Sequence, residues 1–273
     1  AGFVKLGKKS SPPSVEVLQT LWLDQEYRGR DASGLAYVGK DRSTRYLKQA
    51  GPVGKFIPNV PSEVWAEIIS SKMAMFHTRS RTQGHESDPL NNHPIISKDW
   101  VITHNGMIGN DKALWDKLDK DNRPGLVDSS AINLVLSQVE HNDEANIVGT
   151  LGTLSGSMAM AGWSSLYPET LILARTHGSD LFLARDIQKG ILYWSSVKDA
   201  VEEAVASPGN SHSLVGLDFI GEPTSMLPDY TAICINSHSV RRYTLPNNPL
   251  FFSVKTTKES NRVRNKFFNS WGW

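Results

Sequence analysis

The chain has 273 residues, one cysteine and a formal net charge of +1. A chain of this length forms one large domain or two small ones and buries a core without cross-links. A single cysteine cannot form an internal disulfide or a multi-cysteine metal site, so disulfide-rich and zinc-ribbon proteins are excluded. With 39% hydrophobic and 21% charged residues, the composition is that of an ordinary globular protein.

Long apolar stretches are missing from the sequence. No apolar run reaches the ~20 residues that a membrane-spanning helix needs. The first residues, AGFVKLGKKSSPP, also lack the apolar stretch of a signal peptide. We therefore expect a cytoplasmic protein without a membrane partner.

The first half of the chain alternates predicted strands and helices. Residues 1–6 are apolar and predict a strand, and Ser14 is a candidate N-cap for a helix that extends towards Gly29. The spacing of apolar residues further predicts strands at 34–39, 73–79 and 100–106, and helices capped by Ser62, after Asn110 and over 129–140.

The second half of the chain is richer in strands, and their short connections are typical of antiparallel meanders. The whole pattern predicts an α+β domain over residues 1–245, with two sheets covered by helices. Residues 246–273 are predicted to be an appended tail. The elements predicted here are strands at 157–163, 170–177, 181–185, 191–196, 230–236 and 240–245, and a helix at 197–205.

The tail at 246–273 combines six aromatic residues with five basic residues and one acidic residue. Terminal aromatic residues most often pack back onto their own domain. Aromatic and arginine side chains are also typical of interface hot spots, so a docked partner subunit is the second interpretation. Nucleic-acid binding by stacking and phosphate contacts is the third, and we do not favour it.

Polar chemistry is densest in the segment 77–110, which holds four of the eight histidines. Their spacing does not match the His-x-x-x-His of a helical zinc site, so we predict no metal ligands among them. Arg79 ends one predicted strand, where a guanidinium can bind a carboxylate through two hydrogen bonds. Asn105 and Gly106 end another and offer a side-chain amide beside a backbone N–H, the two donors of an oxyanion hole. Taken singly, such residues usually form a surface ion pair and a tight turn.

In combination, five segments resemble the class II glutamine amidotransferases, the Ntn-hydrolase type with an N-terminal nucleophile, and in particular the glutaminase half of glucosamine-phosphate synthase. The resemblance implies a four-layer αββα sandwich of two mostly antiparallel sheets over residues 1–245 and no cofactor. The matching segments are YRGRDASGLAYV (27–38), HTRSRTQG (77–84), NNHPI (91–95), THNGMIGN (103–110) and VDSSAINLVL (127–136).

The resemblance implies hydrolysis of the side-chain amide of L-glutamine. In the family, residue 1 is a cysteine whose thiolate attacks the amide and whose α-amino group is the general base. This chain has Ala1 at that position, and a methyl group cannot be a nucleophile, so this form is expected to be inactive. The side chain of Asn105 and the N–H of Gly106 would hold the oxyanion.

The resemblance also assigns the substrate contacts. Arg79 would bind the α-carboxylate of glutamine, and Asp128 would accept hydrogen bonds from its α-ammonium group. His77 and Thr78 precede Arg79 on the same strand and are expected beside the substrate. Supporting positions behind these groups are expected for Arg28, Asp31 and His104.

Two departures from the family leave alternatives open. Ser80 replaces a tryptophan that forms part of the ammonia route in glucosamine-phosphate synthase. Ala1 is either a Cys→Ala replacement made to trap substrate, which the otherwise complete glutamine pocket favours, or a natural loss of the nucleophile.

Three hypotheses for the function therefore remain open. The first is a stand-alone glutaminase that supplies ammonia to a separate synthetase subunit, because the 28 residues after 245 are too few for an acceptor domain. The second is an amidohydrolase that cleaves a γ-glutamyl conjugate without channelling ammonia. The third is a glutamine-binding or regulatory module without catalysis.

Overall fold

The fold is described from a computed structural model of the chain. It describes residues 1–246 except for residues 8, 124, 140–142, 207–223 and 237. The predicted tail lies outside these residues from position 247 onward. Within the described part of the chain, no helix combines the length and apolar character that crossing a membrane would require.

Thirteen strands lie in the described part of the chain, and they are numbered here in chain order. The first six are β1 (Gly2–Lys5), β2 (Ala32–Val38), β3 (Thr44–Ala50), β4 (Met73–Arg79), β5 (Ile95–Ser97) and β6 (Trp100–Ile108). The others are β7 (Gly156–Ser164), β8 (Tyr167–Arg175), β9 (Phe182–Asp186), β10 (Ile191–Ser195), β11 (Thr224–Met226), β12 (Thr231–Ile235) and β13 (Val240–Thr244).

The helices fall into two groups in the sequence. Four lie before or after the strands of the first sheet: α1 (Val15–Leu23), α2 (Val53–Phe56), α3 (Ser62–Ser70) and α7 (Lys198–Val205). Three follow β6 without an intervening strand: α4 (Asp111–Leu118), α5 (Ser130–Leu136) and α6 (Glu144–Leu151).

The strands form two antiparallel sheets. A seven-stranded sheet has the order β11-β9-β10-β1-β4-β2-β3, which places β1 between β10 and β4. A six-stranded sheet has the order β13-β12-β8-β7-β6-β5. In the long pairing of β6 with β7, Asn105 lies opposite Ala159 and Gly106 lies opposite Met158.

Three apolar clusters show that the sheets are stacked in the middle with helices on both outer faces. One cluster joins strands of both sheets, for example Met75 of β4 and Trp163 of β7. The second packs α1, α2, α3 and α7 on the seven-stranded sheet, and the third packs α4, α5 and α6 on the six-stranded sheet. Each fully buried large apolar side chain contributes about 1.5–3 kcal/mol to this assembly. The predicted αββα sandwich is thereby confirmed.

The predicted element boundaries differ from the observed ones at a few helix ends. Ser14 is the N-cap of α1 as predicted, and its side chain accepts a hydrogen bond from Val17 N. However, α1 ends at Leu23, and the chain continues as a short 3-10 turn over Glu26–Arg28. The predicted cap Ser62 is instead the first residue of α3, because Pro61 takes the extended N-cap conformation.

Strand periodicity places the predicted site residues on particular faces of the sheets. Side chains alternate between faces with a period of two. Because Met73 and Met75 of β4 belong to the cluster between the sheets, His77 and Arg79 also face that gap. Thr78, in contrast, faces the helices.

The same argument applies to β6. Val101 faces the gap between the sheets, so Asn105 does as well. His104 faces α5 on the outer side of the six-stranded sheet. The gap between the two sheets therefore receives His77 and Arg79 from one side and Asn105 from the other.

Candidate active site

Ala1 lies at the start of the central strand of the seven-stranded sheet. Its α-amino group donates to Phe76 O at 2.8 Å, and Phe76 N donates back to Ala1 O at 2.7 Å. The residue is only 9% exposed, and its methyl group belongs to the apolar cluster beneath α1. Position 1 is thus held by pairing to β4 close to the end that bears Arg79.

Burial keeps the α-amino group of Ala1 neutral. Removal from water, followed by the positive charge of Arg28, lowers its pKa from 8.0 to about 4. A neutral amine carries a free electron pair, which is the form a general base needs. The side chain of Arg28 is exposed, and Arg28 influences the amine through its positive charge.

Gln25 is a buried partner of the amine that the sequence prediction missed. Its Oε1 accepts from the α-amino group at 3.2 Å, and its Nε2 donates to Leu21 O at 2.8 Å. Its backbone carbonyl accepts a hydrogen bond from Thr78 Oγ1 at 2.9 Å, so the hydroxyl of Thr78 is bonded to Gln25. The sequence did contain a signal that Gln25 is buried. Leu18, Leu21 and Gln25 follow one another at helical spacing, on the side of α1 that packs against the core.

Arg79 is held by three loop acceptors although it is only 5% exposed. Its Nη1 donates to Asn92 Oδ1 at 2.9 Å, and its Nη2 donates to Gly84 O at 2.8 Å and also to Gln83 O. Desolvation lowers its pKa from the ordinary value of arginine. These bonds fix the plane of the guanidinium, which is the requirement for binding a carboxylate in a defined orientation.

The turn before β2 packs directly on Arg79. A Cβ atom at Gly29 would lie 2.2 Å from the backbone carbon of Arg79, so only glycine fits there. Asp31 N donates to Arg79 O at 3.0 Å, and Asp31 Oδ2 accepts from Arg81 N at 2.7 Å. Asp31 therefore supports the chain on both sides of Ser80, whose side chain is exposed.

Asp128 is a buried acidic residue within electrostatic range of this arginine. Its Oδ2 accepts from Ile108 N at 2.7 Å, and the residue is 6% exposed. It raises the pKa of His104, which burial lowers, and it influences the pKa of Arg79 less than burial, Glu86 and Asp31 do. Buried groups of opposite charge are what the α-carboxylate and α-ammonium groups of a free amino acid need as partners.

Asn105 and Gly106 lie in β6 shortly before its end at Ile108, where the strand becomes accessible to solvent. Asn105 is half-buried and donates from Nδ2 to Ser196 Oγ at 2.8 Å, whereas Gly106 is exposed. Gly106 has a φ of +130°, and a Cβ atom there would lie 2.1 Å from Ser157 O. Glycine is therefore required at this position by both conformation and space.

The buried histidines connect the layers around the site. His77 Nε2 donates to His104 O at 3.1 Å, which joins the two sheets, and the His77 ring stacks on His93 at 4.0 Å. His104 Nδ1 lies 2.9 Å from Ser129 Oγ, which joins β6 to the start of α5. Burial and the charge of the nearby α-amino group lower the pKa of His77 to about 3. These rings are neutral cross-links at neutral pH.

Several known proteins are similar to this chain in sequence, and their names refer to glutamine or to nitrogen-containing products. A glutamine–fructose-6-phosphate aminotransferase (isomerizing) from Chlamydia muridarum is 32% identical over 189 residues, which cover 66% of this chain and 29% of the relative. Its counterpart from Buchnera aphidicola subsp. Baizongia pistaciae is 28% identical over 173 residues, 61% of this chain and 28% of the relative. A 7-cyano-7-deazaguanine synthase from Saccharolobus solfataricus is 26% identical over 188 residues, 68% of this chain and 39% of the relative.

The chain thus spans between 28% and 39% of the length of these relatives. No family model matches the sequence.

Solved structures show the same fold. The glutamine phosphoribosylpyrophosphate amidotransferase of B. subtilis, complexed with ADP and GMP, superposes with a TM-score of 0.68 at 14% identity, covering 90% of this chain and 49% of that one. A glutamine aminotransferase class-II domain protein from Silicibacter pomeroyi superposes with a TM-score of 0.53 at 14% identity, covering 80% of this chain and 98% of that one. The resemblance stated from the sequence motifs is confirmed by these relatives and by this fold.

Proposed function

We propose that the chain is a glutaminase domain of the class II glutamine amidotransferase type, which binds L-glutamine and, with a cysteine at position 1, hydrolyses its side-chain amide. The observation that carries the proposal is the burial of Arg79 and Asp128, two side chains of opposite charge within electrostatic range of each other. Arg79 binds the α-carboxylate of the substrate, and Asp128 binds its α-ammonium group. The side-chain amide then reaches position 1, which is paired with β4.

The proposed reaction proceeds through a thioester. The sulfur at position 1 bonds to the amide carbon while the neutral α-amino group takes the thiol proton. Asn105 and the N–H of Gly106 stabilise the oxyanion of the tetrahedral intermediate. The α-amino group then passes its proton to the leaving nitrogen, which departs as ammonia. Water hydrolyses the thioester and releases glutamate.

Replacement of Ala1 by cysteine tests this proposal directly. We expect the Ala1→Cys chain, produced with residue 1 as its first residue, to release glutamate and ammonia in equal amounts, whereas the unchanged chain releases neither. Ala1→Val is the matched control, because it fills the same site without a nucleophile. An Ala1→Cys protein that binds glutamine in calorimetry yet releases no glutamate or ammonia would show that the pocket is a binding module.

We propose that the ammonia serves an acceptor site on a separate synthetase. One relative is named an aminotransferase and another a synthase, and this chain matches only a minor part of each. The predicted tail is our candidate for the docking segment. The test compares ammonia released to solvent with and without a candidate synthetase, for the full chain and for a chain without residues 250–273. Unchanged release and no association in both cases would refute this part of the proposal.

A γ-glutamyl conjugate is the second candidate substrate. It is favoured by Ser80, which is small, exposed and placed directly after Arg79, where the family has a tryptophan of the ammonia route. A pocket without that aromatic residue has room for a larger leaving group than ammonia. In the Ala1→Cys chain, a higher kcat/KM for γ-glutamyl anilides than for L-glutamine would favour the conjugate. Ser80→Trp should then lower the anilide activity selectively.

A further inference from the structure

The side-chain amide of Asn105 is hydrogen-bonded to Ser196. Its Nδ2 donates to Ser196 Oγ at 2.8 Å. The amide nitrogen of Asn105 is thus the donor, and the hydroxyl oxygen of Ser196 is the acceptor.

The bond to Ser196 connects the two sheets. Asn105 is on β6 of the six-stranded sheet, and Ser196 is the first residue after β10 of the seven-stranded sheet. Ser196 is buried, with 6% of its surface exposed, so its hydroxyl has little access to water as an alternative partner. The nitrogen of the Asn105 amide is thus attached to the end of β10 in the opposite sheet.

An amide NH2 group has two hydrogens, and Ser196 takes one of them. The amide is planar, so fixing one N–H direction fixes the other. We propose that Ser196 is a positioning residue that aims the second N–H of Asn105 at the oxyanion. This inference rests on the proposed function, because it concerns the same reaction. Ser196 does not touch the substrate in this arrangement and acts through Asn105.

The neighbouring Ser195 provides a matched control. It is also buried, but its hydroxyl accepts from Val197 N at 2.9 Å and so serves the turn into α7. Ser195→Ala removes one buried hydroxyl, as Ser196→Ala does, without touching Asn105. A general effect of losing a buried hydroxyl should therefore be alike in the two variants.

The kinetic test uses the Ala1→Cys chain as the reference. Loss of an oxyanion donor lowers kcat by about 10²–10³-fold, and misdirecting that donor costs less. We expect Ser196→Ala to lower kcat by about tenfold, with the KM for L-glutamine unchanged because Arg79 and Asp128 are intact. Ser196→Thr, which retains the hydroxyl, should recover most of the activity. Ser195→Ala should leave kcat per folded molecule unchanged.

A double-variant cycle separates positioning from general damage. If Ser196 acts through Asn105, then Ser196→Ala should change kcat by less than about twofold in a chain that already carries Asn105→Ala. An equal loss of kcat with and without Asn105 would overturn the inference. So would a rise in KM with kcat unchanged.

A second measurement does not depend on turnover. In the unchanged chain labelled with 15N-asparagine, we expect Ser196→Ala to shift the Asn105 side-chain NH2 signals and speed their exchange with solvent, while Ser195→Ala leaves them in place. Unaltered Asn105 signals in Ser196→Ala would overturn the inference even if the Ala1→Cys chain proves inactive. Altered signals in an inactive Ala1→Cys chain would refute the proposed function alone.

Discussion

Two neighbouring regions of the site differ in whether their buried groups are neutral or charged. Around position 1, the α-amino group, His77 and His93 are buried, and burial holds each of them neutral. Around Arg79 and Asp128, two side chains of opposite charge are buried. Each of these charges is bonded to backbone or amide groups, namely carbonyl oxygens for Arg79 and the N–H of Ile108 for Asp128.

The difference separates binding from chemistry. A buried charge that is fully hydrogen-bonded can recognise an opposite charge with little reorganisation, which suits a zwitterionic substrate. A desolvated neutral amine suits proton transfer, because it is not already protonated. Alanine at position 1 therefore supplies no nucleophile and leaves the charged region intact. Changes in the charged region should alter ligand affinity, and changes in the neutral region should alter stability with pH.

The largest expected effect is on the charged region. Arg79→Ala should weaken L-glutamine binding by about 100-fold, or about 3 kcal/mol, because a charge-assisted hydrogen bond to the α-carboxylate is lost. Isothermal titration of L-glutamine into the unchanged chain and into Arg79→Ala measures this directly. Arg45→Ala is the control, since Arg45 pairs with Asp41 on the surface at the far end of β3.

The ligand offers a second control. L-Glutamine methyl ester lacks the carboxylate charge, so the unchanged chain and Arg79→Ala should bind it with similar, weak affinity. If L-glutamine itself binds both proteins equally, then Arg79 does not hold the α-carboxylate, and the separation of the two regions fails.

The next effect in size concerns the neutral region and pH. Burial lowers the pKa of His77 from 6.5 to about 3 and lowers that of His93 well below its usual value. Between pH 6.5 and 3 the unfolded chain therefore binds more protons than the folded chain, so the free energy of unfolding falls as the pH falls. Each such histidine contributes at most about 1.4 kcal/mol per pH unit. Urea unfolding at several pH values from 7.5 to 5 measures the slope.

His93→Phe tests which ring is responsible. Neither ring nitrogen of His93 has a hydrogen-bond partner, and phenylalanine can keep the stack on His77 without a titrating group. The slope of stability with pH should therefore decrease in His93→Phe and stay as it was in His238→Phe, a change at an exposed histidine. An unchanged slope in His93→Phe would mean that the neutral region does not set the acid sensitivity.

Much of the fold was predictable because both faces of the inner strands are buried. The prediction of a strand at 73–79 is matched by β4 over Met73–Arg79, since alternate residues there contact two different apolar clusters. Strand β3 was not predicted, because TRYLKQA lies at a sheet edge and no side of it is apolar throughout. Helix α6 was also missed, and its apolar residues become recognisable only with the sheet beneath them.

The residues of the candidate site likewise fall into some that the sequence predicted and some that it did not. Arg79, Asn105 and Asp128 were named from short motifs that lie at or near the boundaries of elements and resemble those of a known family. Gln25 and Ser196 were not named, since their partners Ala1 and Asn105 lie 24 and 91 residues away in the chain. Such contacts follow from how the two sheets and α1 pack, and this packing is not encoded in any local spacing.

The smallest expected effect comes from Gln25, at the boundary between the helices and position 1. Gln25→Leu removes the side-chain acceptor of the α-amino group but keeps Phe76 O, and it leaves the volume nearly unchanged. Two buried hydrogen bonds of about 0.5–1.5 kcal/mol each are lost, the one to the α-amino group and the one from Nε2 to Leu21 O, and the buried leucine side chain offsets part of this loss. We therefore expect the free energy of unfolding to fall by about 1 kcal/mol, while L-glutamine affinity stays as it was. Gln49→Leu on the edge strand β3 is the matched control and should cost less than about 0.5 kcal/mol. A loss of glutamine affinity in Gln25→Leu, rather than of stability, would show that position 1 and the charged region are coupled, because the neutral region would then be shaping the substrate contacts themselves.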